Sequence, residues 1–208
     1  MAELELRWLG HACFEVKYRE YTVVIDPFED DYVPGFGCLD VAADLVLCSH
    51  DHGDHGAAYV VAPLEGHENP FDITGIETFH DPKGGTLRGL STIHILQADG
   101  LRIAHFGDIG CALTPEQAEE LKNLDVAMIP VGGFYTIGPE EAMALIDQIK
   151  PKVVIPMHYR MGGVGLPAVA ELDAFLALVK DPVHYPGNTI VIREDTKPQV
   201  AVLKFLGA

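Results

Sequence analysis

Basic residues are scarce in this sequence. Only 14 lysines and arginines stand against 31 aspartates and glutamates, which gives a formal net charge of -17 over 208 residues. Affinity for a nucleic-acid backbone or for an anionic membrane surface comes mainly from Lys and Arg. The charge balance therefore argues against nucleic-acid and membrane partners, although it says little about a small-molecule substrate.

Long apolar runs and closely spaced cysteines are also lacking. No apolar stretch approaches the roughly 18 residues of a membrane-spanning helix, and the N-terminal residues do not resemble a signal peptide. The four cysteines include no C-x-x-C pair. We therefore expect a cytoplasmic protein with reduced thiols.

The composition is otherwise that of a well-packed globular protein. Hydrophobic residues make up 48% of the chain and charged residues 22%. No low-complexity linker divides the sequence, and no period of about 20–50 residues marks a repeat. These features predict one domain spanning residues 1–208.

The most informative segment is the stretch 50–55, His-Asp-His-Gly-Asp-His. It follows the apolar run 45–48, which is typical of a buried strand. Neutral imidazoles combined with carboxylates suit Zn, Fe or Mn better than Ca or Mg. Gly53 separates two alternating ligand pairs, which a plain histidine tract would not show. The segment therefore predicts a transition-metal site.

Further donors stand where other predicted strands end. His80, Asp108 and His158 each follow an apolar run, and strand ends on one edge of a sandwich can converge on a cleft. His11 lies in a sharp turn between the first two predicted strands, from which it could reach the same cleft to contact substrate or support a ligand. We expect the remaining histidines to be structural or at the surface.

The order of predicted elements indicates the fold class. Residues 99–100, Asp-Gly, predict a hairpin, and Thr114 and Gln117 predict a capped helix start. Strands come first and β-α-β-α units follow, which suggests two sheets packed face to face with helices outside. The predicted strands are 3–8, 13–17, 22–26, 45–48, 73–79, 90–96, 101–106, 126–129, 152–155, 189–193 and 199–205. The predicted helices begin at 114, 138 and 167, and the last two end near 150 and 179.

The H-x-H-x-D-H pattern, followed by single His, Asp and His donors, resembles the metallo-β-lactamase-fold hydrolases. The segments 8–11, 25–27, 106–108, 130–133 and 156–159 are similar to the small metal-dependent hydrolase branch related to the L-ascorbate-6-phosphate lactonases. The resemblance covers nearly the whole chain. It implies an α/β (α+β) fold, a four-layer αβ/βα sandwich with metals at one edge between the sheets. The short segment between His55 and His80 implies that a helix and a strand usual there are trimmed.

The resemblance also implies roles for the donors. It implies two divalent metal ions, with Zn favoured and Mn or Fe as alternatives, and it assigns Asp54 and Asp108 to the catalytic centre. A hydroxide held by the metal pair would cleave a small ester, lactone or phosphodiester. The implied ligands are His50, His52 and His80 for the first metal, Asp54, His55 and His158 for the second, and Asp108 as the bridge.

Other residues near these donors are candidates for supporting roles. Asp26, Asp51 and Asp81 could support the donors around the metals, although a turn or loop-capping role is an equal alternative for Asp26 and Asp51. The candidates for contact with substrate are His11, Tyr135, Thr136 and Tyr159, with Asp81 as a further one. Lys83 and Arg88 could meet an anionic group, but a solvent-exposed turn is the preferred interpretation.

Three alternatives remain open. A non-catalytic metal-binding or sensor protein would share the ligand set, although such proteins usually lose a ligand. A nuclease is disfavoured by the net charge of -17. A di-iron redox protein would need an electron donor, and no flavin-binding domain follows. The sequence leaves homo-oligomer formation open.

Overall fold

The computed structural model describes residues 2–206. The helices are α1 (Pro115–Glu120), α2 (Pro139–Ile149) and α3 (Leu172–Leu176), and a short 3-10 turn covers Ala58–Val60. The strands, in chain order, are β1 (Glu3–Gly10), β2 (Cys13–Tyr18), β3 (Tyr21–Ile25), β4 (Ala42–Ala43), β5 (Leu45–Leu47), β6 (Ala62–Pro63), β7 (Asp72–Phe79), β8 (Leu90–Ala98), β9 (Leu101–His105), β10 (Val126–Pro130), β11 (Val153–Met157), β12 (Val183–His184), β13 (Thr189–Arg193) and β14 (Gln199–Val202).

Two sheets form the body of the described chain. One has the strand order β13-β1-β2-β3-β5, the other has the order β12-β14-β11-β10-β9-β8-β7, and β4 pairs with β6 separately. Buried side chains from both sheets form one hydrophobic cluster, in which Leu6 and Phe14 of the first sheet join Ile103 and Met128 of the second. The sheets therefore pack face to face, as the order of elements predicts.

The first sheet presents one apolar face and one polar face. In β1, Leu4, Leu6 and Trp8 are buried, whereas Glu3 and Glu5 are exposed. This alternation follows from the two-residue period of a strand and is typical of an antiparallel sheet with one solvated face. Glu5 stands opposite Lys17 in the β1–β2 register on the outer face, so residues of opposite charge are cross-strand neighbours there.

The second sheet positions several donors because its centre is parallel. Strand β10 pairs in parallel with both β9 and β11, and all five of its residues are buried. The carboxyl ends of β9, β10 and β11 therefore meet at one edge of the sheet. The connections through α1 and α2 both step in the same direction across the sheet, so right-handed crossovers place these helices on one face.

The structure confirms the α/β metallo-β-lactamase sandwich, with reduced helical content. Between His55 and His80 the chain forms only the 3-10 turn and the two-residue strand β6, in line with the expected trimming. The helix predicted from 167 to 179 is confined to Leu172–Leu176. The preceding residues pair elsewhere, because Ala170 N–H donates to Gly132 and Arg160 N–H donates to Ala170.

The predicted helix cap and the predicted hairpin are both confirmed. The Thr114 hydroxyl accepts the Gln117 N–H at 3.2 Å, and the Gln117 side chain accepts the Thr114 N–H at 2.9 Å. Strands β8 and β9 form the predicted hairpin, in which Ala98 faces Leu101. All four cysteines are free thiols. Among residues 2–206, no helix is both long and apolar enough to span a bilayer.

Candidate metal centre

The predicted donors come from the exits of different strands and meet at one edge of the sandwich. Residues 50–55 follow β5, His80 follows β7, Asp108 follows β9 and His158 follows β11. His11 stands in the turn between β1 and β2. Parallel strands in both sheets bring these exits to the same end, which explains how donors far apart in sequence become neighbours.

The donors divide into two groups whose ligand atoms lie within 4.8 Å of one another in each group. His50, His52 and His80 form the open group, in which His52 is exposed and His50 is half-buried. The second group, here called the buried group, consists entirely of buried residues: His11, Asp54, His55 and His158.

Asp108 lies between the two groups. One carboxylate oxygen is 3.5 Å from His80 Nε2 and 3.3 Å from His158 Nε2, and the other is 3.2 Å from His55 Nε2. His50, His55 and Asp108 also form a compact set of donors. This is the position that a bridging carboxylate would need, as the resemblance implies.

Asp26 and Ser49 fix the orientation of an imidazole in each group. Asp26 is fully buried and accepts His55 Nδ1–H at 2.8 Å. The Ser49 hydroxyl donates to the same carboxylate at 2.6 Å and lies 2.9 Å from His50 Nδ1, whose N–H it can accept. With Nδ1–H as the donor in these bonds, each neutral imidazole would present its Nε2 lone pair to the donor cluster.

Burial and charge act in opposite directions in this cluster. Burial is the largest cause that lowers the pKa of His50 to about 3 and that of His11 to about 4, which keeps both imidazoles neutral. Burial opposes ionisation of Asp26. This effect is outweighed by the nearby imidazoles of His55 and His105 and by hydrogen bonds from His55 and Ser49, which together lower the pKa of Asp26 to about 2. The pKa of Asp108 is likewise held well below its usual range, chiefly by His158 and His55 against the effect of burial.

Three residues of the site adopt left-handed backbone conformations at strand exits. The φ angles are 51° for His11, 51° for Asp26 and 54° for His158. Such conformations cost residues with a side chain on the order of 1–3 kcal/mol. The His158 N–H donates to the His11 carbonyl at 3.2 Å, so the two strained turns support each other and direct both imidazoles into the buried group.

The donor set fits a transition-metal pair. Several buried polar atoms of the cluster have no hydrogen-bond partner within residues 2–206, and they include His50 Nε2, His55 Nε2 and Asp108 Oδ1. Orphaned buried polar atoms are costly, and nitrogen donors with carboxylates match Zn, Fe or Mn. Cations at this edge would satisfy the orphaned atoms and balance the buried carboxylates.

A cavity of about 280 Å³ opens beside the donors. A larger surface depression, about 430 Å³ beside Tyr18 and His67, contains none of the donors. The residues lining the first cavity are the donors His52, Asp54, His80 and Asp108 together with Tyr32, Arg88, Tyr135 and Leu166. Sequence reasoning did not select Tyr32 or Leu166, because both come from loops without a recognisable motif.

Several other candidates take positions different from those expected. Tyr159 is buried against Trp8, with ring centroids 5.5 Å apart. Its side chain packs in the core and does not line the cavity. Thr136 is also buried, and its hydroxyl donates to the Ile137 carbonyl at 3.1 Å. Tyr135 does line the cavity.

The two remaining aspartates do not hydrogen-bond a donor imidazole within the described chain. Asp51 is exposed, and its carboxylate lies beside Gly56. Asp81 is buried, but its carboxylate accepts backbone N–H groups from the loop that follows His80. Asp81 therefore shapes a loop and does not orient a ligand directly.

Comparisons with known proteins agree with this geometry. The family model described as "Beta-lactamase superfamily domain" matches residues 5–158. This chain belongs to the beta-lactamase superfamily. A UPF0173 metal-dependent hydrolase of Methanopyrus kandleri is 31% identical, covering 75% of this chain and 84% of its own. One from Thermococcus onnurineus is 29% identical, covering 86% and 93%. Within the superfamily, the chain belongs with these metal-dependent hydrolases.

A solved structure shows the same architecture. The crystal structure of a metallo-beta-lactamase superfamily protein from Thermotoga maritima superposes with a TM-score of 0.74 at 33% identity. The match covers 96% of this chain and 98% of that one. The superfamily fold therefore extends over essentially the whole of the described chain.

Proposed function

We propose that this protein is a hydrolase with a dinuclear metal centre that cleaves a small ester, lactone or phosphodiester. The observation that carries the proposal is the pair of donor groups joined by Asp108 beside a cavity. The relatives from Methanopyrus and Thermococcus are named metal-dependent hydrolases, and the Thermotoga protein is named as a candidate Zn-dependent hydrolase, which supports Zn over Mn or Fe.

The donors have distinct proposed roles. The open group would hold one cation, the buried group the other, and Asp108 would bridge them, with His11 added to the ligands Asp54, His55 and His158. Two bound cations would lower the pKa of a water and polarise the attacked carbonyl or phosphoryl oxygen. Asp26 and Ser49 would hold His55 and His50 in the tautomers that bind metal, so that the centre is organised before substrate arrives.

The cavity supports a small substrate. Its volume of about 280 Å³ is near the lower end of ordinary ligand pockets, which span roughly 300–1,000 Å³. Tyr32, Tyr135 and Leu166 supply apolar walls beside the polar donors. We therefore propose a small-molecule partner and no nucleic-acid or membrane partner, in keeping with the net charge of -17.

Metal-dependent turnover tests the proposal. Protein stripped by a chelator is reloaded separately with Zn, Mn or Fe(II) and incubated with chromogenic esters, lactones and a phosphodiester. We expect hydrolysis to disappear with the metal and return with at least one of the three. Loaded protein that binds two cations but turns over none of these bonds would favour the metal-sensor alternative instead.

A further inference from the structure

Arg88 differs from every other arginine of the chain. The other five of the six arginines donate hydrogen bonds from their guanidinium groups to protein acceptors: Arg7, Arg19, Arg102, Arg160 and Arg193. The Arg88 guanidinium has no hydrogen-bond or ion-pair partner among residues 2–206, although the chain carries 31 acidic residues. A planar group of five N–H donors is therefore free to bind something else.

The position of Arg88 indicates what it faces. It lines the cavity beside the donor groups and is the only Lys or Arg that does so in the described chain. Its guanidinium carbon lies 5.4 Å from the centroid of the Tyr135 ring. A cation over an aromatic face is held in place while the N–H edges of the guanidinium remain available.

Asp81 builds the loop that carries Arg88. Its two carboxylate oxygens accept four backbone N–H groups, those of Lys83 at 2.8 Å, Gly85 at 3.2 Å, Leu87 at 2.9 Å and Arg88 at 2.9 Å. The loop closes where the His80 N–H donates to the Gly89 carbonyl at 3.0 Å. Leaving any of these bonds unmade would be costly for a buried carboxylate. The four bonds therefore fix the conformation of the loop.

We propose that Arg88 binds an anionic group, a carboxylate or a phosphate, on the substrate of the proposed hydrolase, and that Asp81 is the positioning residue for Arg88. This inference rests on the proposed function, because it takes the bound anion to be part of the molecule that is hydrolysed. The guanidinium edge matches two oxygens of a carboxylate or phosphate at once. The hydrolysed bond would then lie at the donors while a separate anionic group meets Arg88, which narrows the substrate to an anionic ester, lactone or phosphodiester.

The first experiment measures binding without turnover. Calorimetry with metal-loaded protein compares two anions, glutarate and glycerol 3-phosphate, with their neutral counterparts glutaramide and glycerol. We expect Arg88→Met to weaken binding of at least one anion by about 10- to 100-fold and to leave metal content and melting temperature unchanged. Arg88→Lys keeps the positive charge but lacks the paired N–H donors of a guanidinium. Its affinity for the anion should therefore fall between those of the wild type and Arg88→Met. The preferred anion separates a carboxylate from a phosphate.

Lys83→Met is the matched control. It removes one positive charge from the same loop, but Lys83 is exposed and does not line the cavity. Anion binding should therefore be unchanged. An equal loss of anion affinity in the Lys83 and Arg88 variants would show that any nearby positive charge has the same effect. That result would overturn the proposal.

The second experiment separates this inference from the proposed function. Two esters that both release 4-nitrophenolate, the neutral acetate and the anionic monoglutarate, are compared in the wild type and in Arg88→Met. We expect KM for the anionic ester to rise about tenfold or more, well beyond any change in KM for the neutral ester. Equal effects on both esters, or none, would contradict the role of Arg88 while leaving the hydrolase in place. Arg88-dependent anion binding without turnover of either ester would uphold the anion site and reject the hydrolase.

Asp81→Asn tests the positioning role. An amide offers one acceptor oxygen where the carboxylate offers two, so part of the loop's hydrogen bonding is lost. We expect KM for the anionic ester to rise with little change in kcat for the neutral ester. A parallel fall in kcat for both esters would indicate general damage to the site and would contradict positioning through Arg88.

Discussion

The open and buried donor groups share one edge of the sandwich but differ in how they are held. The buried group has three imidazoles and one carboxylate, all enclosed, and His55 is bonded directly by Asp26. The open group has only imidazoles, one of them exposed, and its link to Asp26 passes through Ser49. Enclosed, charged and directly supported donors should bind a cation more tightly and exchange it more slowly than open, neutral ones.

The two groups also differ in their access to the cavity. Of the open group, His52 and His80 line the cavity, whereas from the buried group only Asp54 does. The cation of the open group would therefore face the substrate more directly. We infer that the buried group would retain its cation for longer, whereas the open group would bring its cation into contact with the substrate.

Loss of Asp108 should have the largest effect, because it is the donor that joins both groups. We expect Asp108→Ala to reduce hydrolysis by at least about a thousandfold and to lower the metal content of both groups. The fold should persist, as judged by circular dichroism, because Asp108 lies at the edge of the core. Activity close to that of the wild type would contradict the bridging role.

Loss of single imidazoles should distinguish the two groups. We expect His52→Ala to abolish hydrolysis and to remove about one cation per chain without lowering the melting temperature of the metal-free protein, because His52 is exposed. We expect His11→Ala to weaken binding of the other cation and to lower that melting temperature, because His11 is fully buried. Identical metal loss and identical melting in the two variants would remove the distinction between the groups.

Substitutions of Asp26 and Ser49, which contact the donor imidazoles, should lower metal affinity by smaller amounts. Asp26→Asn keeps a residue that tolerates a positive φ but can turn an N–H towards an imidazole and favour the wrong tautomer. We expect metal affinity to fall about 10- to 100-fold in both groups, whereas Ser49→Ala should weaken the open group most, because the Ser49 backbone N–H still donates to Asp26. Competition with a chromogenic chelator measures both affinities.

Asp44→Asn is the control for Asp26→Asn, because Asp44 also accepts a histidine hydrogen bond, from His67 at 2.7 Å, but away from the donors. Its metal affinity should match that of the wild type. A similar loss in both variants would show that the effect is not specific to the donor network.

The smallest effect is expected far from this edge. Arg7 and Glu15 form an ion pair on the outer face of the first sheet. We expect Arg7→Ala to lower the free energy of unfolding by no more than about 1 kcal/mol and to leave metal content unchanged, as measured by urea denaturation and elemental analysis. A change in metal affinity would show that the two groups depend on the whole sheet and not on their own supports.

The sequence predicted which side chains converge at this edge where one strand end supplied one candidate donor. The motif at residues 50–55 is local, and His80, Asp108 and His158 each follow an apolar run that could be read as a strand. His11 was harder to assign, because only the tertiary fold places the β1–β2 turn against His158. Contacts between distant turns leave no periodic signal in the sequence.

The surroundings of the donors were less predictable for the same reason. Tyr159 adjoins a donor in sequence but packs against Trp8 in the core, an arrangement that only the tertiary fold determines. Arg88 was expected in a solvent-exposed turn, and its place in the cavity follows from four backbone hydrogen bonds to Asp81. The third helix was predicted too long, because residues 169–171 pair with neighbouring loops.

Stepwise metal removal tests the central claim most directly. Metal content per chain is measured by elemental mass spectrometry after loading with Zn, Mn or Fe(II), and again during timed exposure to a chelator. We predict about two equivalents per chain, one lost rapidly from the open group and one lost slowly from the buried group. One equivalent or none after loading with each of these metals, or two equivalents lost at a single rate, would contradict the account of two unequal groups.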